Sequence, residues 1–161
     1  MNRVRRWAAV SCSVMFLAIP GVAATQEAPA PPIEERARGA ARVVVATIGE
    51  TASRYERNEF GDELIVTYAT LSVEEALKGP NAPVTFAFEG GTVKGITMRV
   101  SSLPTLEKGE RAVFFLEPGK SGEFRPHLRG QGILKLDSAN RVPGSSLTLD
   151  EIRRLARSSS K

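Results

Sequence analysis

The stretch "EGGTVKG", residues 89–95, combines three glycines with a lysine, and such residues can hold a phosphate group. A dinucleotide-binding loop needs the spacing G-x-G-x-x-G at the start of a helix, so that the backbone can approach the phosphates. Here two glycines are adjacent, and the following "ITMRV" alternates like a strand. We therefore expect Gly90, Gly91 and Gly95 to form a structural turn, in which Gly90, Gly91 or Gly95 adopts positive φ or forms a bulge.

A second glycine–lysine pair lies in "EPGKS", residues 117–121, which ends like a P-loop. That motif requires another glycine five residues before Gly119, where this chain has Phe114, and a helix after it. The same residues lack the G-x-S-x-G spacing of a serine nucleophile, because "GKSG" is one residue short. Neither nucleotide binding nor this type of hydrolysis is predicted here.

Catalysis by a Ser–His system would have to use His127, the only histidine of the chain. The only cysteine is Cys12, so a zinc site of cysteines and histidines is not expected. The acids around "EFGDE" lack the spacing of a calcium-binding EF-hand. We predict no catalytic set, no metal site and no cofactor, and keep a small hydrolase using His127 as a third-ranked alternative.

One basic group remains as a candidate binding site. Arg125, His127 and Arg129 alternate along the chain, so in a strand their side chains would share one face. Pro126 between them favours an edge strand. Such a row could bind an acidic envelope component or a protein partner. The alternative is a charged edge that only prevents aggregation.

The N-terminal residues have the pattern of a secretory signal peptide. Arg3, Arg5 and Arg6 precede the apolar run "WAAVSCSVMFLAI", and small residues follow, with cleavage expected after Ala24. The run of 13 residues is short for a membrane span, which needs about 20. A retained anchor and lipidation at Cys12 are the weaker alternatives. We predict an exported protein, periplasmic or extracellular, without a membrane span after cleavage.

Export changes the charge of the protein. The 161-residue chain has 22 basic and 18 acidic residues, a net charge of +4. Three of the arginines lie in the predicted signal peptide, so the mature chain has 19 minus 18, or +1. This near-neutral charge gives no support to nucleic-acid binding.

The mature chain divides into a linker and one domain. Residues 25–39 contain three prolines and predict a linker with at most a helical turn at its end. Residues 40–157 predict the folded domain, and residues 158–161 a frayed tail. "ARVVVATIGE", "LIVTYATLSV", "PVTFAFE" and "AVFFLEPG" are rich in β-branched and aromatic residues and predict strands.

Three local features refine this pattern. The apolar parity of the second strand changes between Tyr68 and Leu71, which predicts a β-bulge or a strongly coiled strand. "PVTFAFE" and "GITMRV" alternate alike, so the simplest expectation is a hairpin closed by the three glycines. Thr148 and Glu151 form a capping box before a C-terminal helix. "SVEEALKG" fits either a helix ending at Gly79 or a strand and turn.

The order "VVVATIGE", "IVTYATLSVEEALKG", "VTFAFEGGTVKGITMRV", "LEKGERAVFFLEPG" and "FRPHLRGQGILKLD" resembles a group of uncharacterised exported bacterial β-barrel proteins. Their pattern is T-x-Y, LKG, GG-x-x-x-G, GER and QG. More distantly, the strand leading into "LKG" is similar to the OB-like barrel of tissue inhibitors of metalloproteinases and netrin modules. The resemblance implies a barrel and favours the strand for "SVEEALKG". Those inhibitors use an N-terminal cysteine that chelates zinc, and this chain does not match that feature.

We therefore predict an all-β fold: a five- to six-stranded antiparallel OB-like barrel with a short C-terminal α-helix. The predicted core contains Val43 or Val44, Val66, Phe86, Phe88, Met98, Phe114, Leu116 and Leu134. The expected function is a non-enzymatic binding or interaction module with a protein or acidic envelope partner. The alternative, which rests on the resemblance alone, is a modulator or inhibitor of an extracytoplasmic protease.

Overall fold

The computed structural model describes residues 29–159, and the predicted signal peptide lies outside them. A short helix α1 (Ile33–Gly39) comes first, and a second helix α2 (Leu149–Ser158) comes last. Between them the strands are β1 (Arg42–Arg57), β2 (Glu63–Lys78), β3 (Val84–Glu89), β4 (Gly91–Val93), β5 (Ile96–Met98), β6 (Arg111–Pro118), β7 (Phe124–Pro126) and β8 (Ile133–Lys135). A 3-10 helix over Arg129–Gly132 separates β7 from β8.

The main sheet closes into a ring. Its strand order is β1-β2-β3-β7-β6-β8, and β1 also pairs with β6, which returns the sheet to its first strand. The prediction of a mostly-β, OB-like barrel with a C-terminal helix is confirmed at this level. The sheet is mixed rather than wholly antiparallel, because β7 runs parallel to β3.

β1 and β2 form a long hairpin of two 16-residue strands. Their register shifts at three points, one of them between Ile48 and Thr51. This irregularity lies opposite Thr70, where the parity change in β2 predicted a bulge, but the extra residue belongs to β1, because Gly49 and Glu50 both lie opposite Thr70. Gly49 is needed there, because a side chain would press against the backbone carbonyl of Thr70. β2 continues to Lys78, so "SVEEALK" is strand.

Alternate residues of β1 point into two separate hydrophobic cores. Val44 and Ala46 belong to the barrel interior, with Phe86, Phe114 and other buried residues. Val43 and Val45 belong to a second core on the outside of the barrel, which α1 and α2 cover. Of the predicted core, Val43, Val44, Val66, Phe86, Phe114 and Leu116 are buried, whereas Phe88, Met98 and Leu134 are only partly buried.

The packed domain begins before the predicted boundary. Helix α1 lies within residues 25–39, which the sequence assigned to a linker, and its Ile33 and Ala37 are buried in the second core. The Lys78 ammonium donates hydrogen bonds to the carbonyls of Ala37 (2.9 Å), Arg38 (3.2 Å) and Ala40 (2.6 Å) at the end of this helix. The helical turn expected at the end of this segment is present as α1, and tertiary contacts supply the burial that such a short segment lacks by itself.

The three glycines of "EGGTVKG" all have positive φ, although the sequence predicted it for one of them. The predicted hairpin of "PVTFAFE" with "GITMRV" is not observed in the described residues. β3 pairs with β2 and β7, whereas β5 pairs with β4. The tight turn is Lys94–Gly95, between the paired residues Val93 and Ile96. Ile96 is 61% exposed, so the expected inward alternation of "GITMRV" was wrong for this residue.

The C-terminal helix has the predicted start. Thr148 Oγ1 accepts a hydrogen bond from the Glu151 backbone N–H, and the Glu151 carboxylate accepts one from the Thr148 backbone N–H. α2 ends at Ser158, one residue inside the predicted tail, of which residues 160 and 161 lie outside the described residues. Neither helix in the described range is long and apolar enough to cross a membrane.

Candidate functional site

The candidate site, which we call the loop cleft, is a cavity of about 710 Å³ at one end of the long hairpin. It lies between the β1–β2 loop, residues 58–62, and the β6–β7 loop, residues 119–123. Its floor is the outer face of β2. The lining residues are Arg54, Glu56, Arg57, Asn58, Glu59, Phe60, Leu64, Val66, Tyr68, Glu89, Lys120, Ser121, Glu123, Arg125 and Arg129.

The side chain of Asn58 fixes the conformation of the β1–β2 loop. Asn58 Oδ1 accepts hydrogen bonds from the backbone N–H groups of Phe60 (2.9 Å) and Asp62 (2.8 Å). Gly61 follows with φ 89°. Asparagine favours such turns because its short side chain can replace a backbone acceptor. The turn presents Phe60 at the rim of the cleft with 83% of its surface exposed.

The β6–β7 loop folds over a buried carboxylate. Glu123 is 4% exposed and accepts hydrogen bonds from the Ser121 backbone N–H (2.9 Å) and from Arg125 Nε (3.2 Å). Burial by itself raises the pKa of Glu123, but hydrogen bonds from backbone N–H groups and Arg125 outweigh it, so the pKa is lowered. A side chain at Gly119 would collide with this carboxylate.

The floor carries a connected polar group. The guanidinium of Arg54 lies over the Tyr68 ring, 4.2 Å from its centroid, and pairs with Glu56 at 2.7 Å. The Tyr68 hydroxyl donates to the same carboxylate at 2.7 Å. The Tyr68 hydrogen bond is the main reason that the pKa of Glu56 is lowered, and burial is the main reason that the pKa of Tyr68 is raised. Glu56 is therefore ionised and Tyr68 protonated at neutral pH.

Further ion pairs line the sides of the loop cleft. Lys120 in one loop pairs with Glu59 in the other at 3.3 Å, and Arg129 pairs with Glu89 of β3 at 2.9 Å. Arg125 and Arg129 also line an adjoining cavity of about 170 Å³. Arg57 is the basic side chain of the cleft without a partner among residues 29–159. It is the free positive charge that the cleft offers to a ligand.

The predicted basic row is only partly reproduced. β7 ends at Pro126, and Leu128 and Arg129 adopt positive φ values of 58° and 55°, so strand alternation stops before the third residue. Arg125 and Arg129 still belong to one site, because both line the loop cleft. His127 is not among the lining residues. Each of the three bases pairs with a carboxylate: Arg125 with Glu123, His127 with Glu117 and Arg129 with Glu89.

His127 is arranged as a packed side chain. Its Nδ1 is 2.7 Å from Glu117 Oε2, and its Nε2 lies so close to Gly39 that a side chain there would collide with it. In the described part of the chain, no serine or threonine hydroxyl bonds to this ring. A His–Glu pair needs a nucleophile at the other ring nitrogen for acyl transfer, and here that nitrogen faces α1.

The glycines at the end of β3 line a different cavity, of about 670 Å³. A side chain at Gly91 would collide with the hydroxyls of Ser53 and Thr67, which bond to each other at 2.8 Å. Thr67 also donates to the Gly90 carbonyl. These glycines therefore allow β4 to pack against the inner face of the long hairpin.

Several cleft residues were not singled out from the sequence. Val66 was predicted in the core and is buried, but it lines the cleft together with Leu64 and Tyr68 and belongs to neither hydrophobic core. Arg54 lies opposite Val66 across the hairpin. The polar residues 57–63, which include "EFGDE", could have indicated this arrangement, because a hairpin that turns there pairs Arg54 with Val66 and Glu56 with Leu64.

Among residues 29–159, no group of three or more histidine, cysteine, aspartate or glutamate residues could hold a metal ion. No known family model matches the chain, and no curated protein is significantly similar to it.

Proposed function

We propose that the protein is an exported, non-enzymatic binding module that holds a segment of a protein partner in the loop cleft. The supporting observation is the position of the cleft. β1, β2, β3, β6 and β7 follow the ring order 1-2-3-5-4, so we assign them to an OB fold. OB folds bind ligands on the face of strands 2 and 3, between the loops after strands 1 and 4. The loop cleft occupies that place.

The chemistry of the lining favours a protein partner. Tyrosine and arginine carry much of the binding energy in protein interfaces, where phenylalanine is also enriched, and here Phe60, Tyr68 and Arg57 surround one cavity. Each of the four glutamates in the lining pairs with a basic residue, which leaves only the charge of Arg57 for a phosphate backbone, so nucleic acid is a poor fit. The unpaired Arg57 favours a segment with a carboxylate beside an apolar side chain that covers Phe60.

The test is capture by the purified protein from envelope and secreted fractions of the source organism. A partner bound by the wild type should be retained at least tenfold less by Phe60→Ala, the loss typical of an exposed aromatic anchor. Ile96→Ala is the matched control, because Ile96 is also strongly exposed but lies in β5, away from the cleft. Equal capture by wild type and Phe60→Ala, or equal loss in both variants, would contradict the proposal.

The two alternatives have less support. Protease modulation rests on the resemblance of fold, and the zinc-chelating cysteine of the metalloproteinase inhibitors has no counterpart, since the only cysteine is Cys12 in the predicted signal peptide. Hydrolysis would need His127 Nε2, which faces Gly39. Turnover of an ester or peptide substrate that is abolished by His127→Ala would restore the hydrolase alternative.

A further inference from the structure

The outer half of β1 is an open sheet edge. β1 pairs with β6 from Arg42 to Thr47, and beyond the bulge the strand that pairs with it among residues 29–159 is β2, while β4 packs on its inner face without pairing to it. In the described part of the chain, no backbone hydrogen bond reaches the free side of β1 between Thr51 and Arg57. Such an edge offers a row of donors and acceptors to another strand.

The hairpin fixes which residues face this edge. The Asn58 backbone N–H bonds to the Asp62 carbonyl, so Asn58 points towards β2. Hydrogen-bonded and non-hydrogen-bonded pairs alternate along antiparallel strands. The backbone groups of Ser53, Tyr55 and Arg57 therefore point outwards, and those of Arg54 and Glu56 bond to β2.

We propose that this edge joins two copies of the chain, with β1 pairing antiparallel to β1 of the second copy around a two-fold axis at Tyr55. In this register Arg54 of each copy lies directly opposite Glu56 of the other. The two contacts are equivalent by symmetry, as a two-fold interface requires. Opposite charges on facing residues stabilise a strand pair.

Charge also distinguishes this register from the two beside it. An axis at Arg54 would place the two Arg54 side chains opposite each other, and an axis at Glu56 would do the same with the two Glu56 side chains. Facing like charges destabilise a pair of strands. Charged edges also repel unrelated strands, so a second copy in this one register is the partner that the edge fits. This proposal does not depend on a ligand in the loop cleft.

The test is the self-association of the protein itself. The full chain is expressed, the accumulated protein is purified, and its mass is followed by sedimentation velocity over a range of concentrations. The wild type should show a reversible dimer. Arg54→Glu should weaken dimerisation by about tenfold or more, because it places like charges opposite each other twice in every dimer.

Two further variants distinguish a loss of dimerisation from a loss of folding. The charge swap Arg54→Glu with Glu56→Arg restores opposite charges within and between copies, and it should recover dimerisation. Tyr55→Pro removes an N–H that points away from β2, so it should abolish the dimer and leave the hairpin intact. Circular dichroism confirms folding. A wild type that stays monomeric at high concentration, or a dimer insensitive to Tyr55→Pro and Arg54→Glu, would overturn the proposal.

Discussion

At the scale of single residues, Glu123 has the strongest structural role in the loop cleft. Its carboxylate is buried, and it accepts hydrogen bonds from the loop backbone and from Arg125. In such a position the carboxylate accepts hydrogen bonds from backbone N–H groups that find no backbone carbonyl within a short loop. The shape of the β6–β7 loop, and with it one wall of the cleft, depends on this side chain.

The lowered pKa of Glu123 predicts a pH dependence of stability. A group with a lowered folded pKa contributes stability above its unfolded pKa, near 4.5, and loses it as the pH falls through the folded value. The free energy of unfolding should therefore decrease below about pH 4.5. Glu123→Gln should lose about 1–3 kcal/mol at pH 7 and show a smaller decrease in acid. Urea denaturation between pH 3 and 7 measures both effects.

Glu59→Gln is the matched control for this variant. Glu59 pairs with Lys120 on the surface, where an ion pair contributes less than about 1 kcal/mol. A Glu123→Gln protein with wild-type stability at pH 7, or with the same acid dependence as Glu59→Gln, would contradict the assigned role.

At the scale of elements, Lys78 joins the start of the domain to the barrel. It donates to three carbonyls at the end of α1, which a helix of this length leaves unpaired. Lys78→Met keeps most of the side-chain length but removes the donors, and should cost about 1–3 kcal/mol of stability. Hydrogen exchange should show loss of protection in α1 first.

Lys108→Met provides the comparison for this change. Lys108 forms an exposed ion pair with Glu50, so its replacement should alter stability by less than about 1 kcal/mol. If Lys78→Met has an equally small effect and α1 keeps its protection, the lysine contacts do not hold the helix in solution.

The strands that alternate or are rich in β-branched residues could be predicted from the sequence, and so could the capping box and a positive φ at one of the glycines. These features are local, because they depend on periodicity and on backbone conformation. The role of α1 could not be predicted, since its burial comes from contacts with strands far along the chain. Neither could the pairing of β3 with β7, because nothing in a strand's own residues specifies its neighbour.

The residues of the candidate site were harder to predict from the sequence than the fold was. Arg125 and Arg129 were named, and both line the cleft, but the reason given, strand alternation, fails at Leu128. Phe60 and Tyr68 were overlooked, because an aromatic residue in a turn or a strand is not distinctive until the loops around it are placed. The cleft is made of segments that are distant in sequence and adjacent only in the closed ring.

At the scale of the whole molecule, the two proposed surfaces are connected through β1. Arg54 and Glu56 line the loop cleft and also lie beside the open edge. In the proposed dimer the two clefts would lie on the same face of one continuous sheet, because a two-fold axis at Tyr55 passes through that sheet. A partner with two binding segments would then bind more tightly than a partner with one.

β1 also connects the two hydrophobic cores, since its alternate residues belong to one or the other. The barrel and its helical cover should therefore unfold together. Ile152 of α2 is fully buried in the second core, far from the barrel interior. Ile152→Ala should cost about 2–5 kcal/mol, with helical and strand signals changing in one transition. Thermal unfolding followed by circular dichroism and by calorimetry measures this, and an early loss of helix with an unchanged barrel transition would show that the cores are independent.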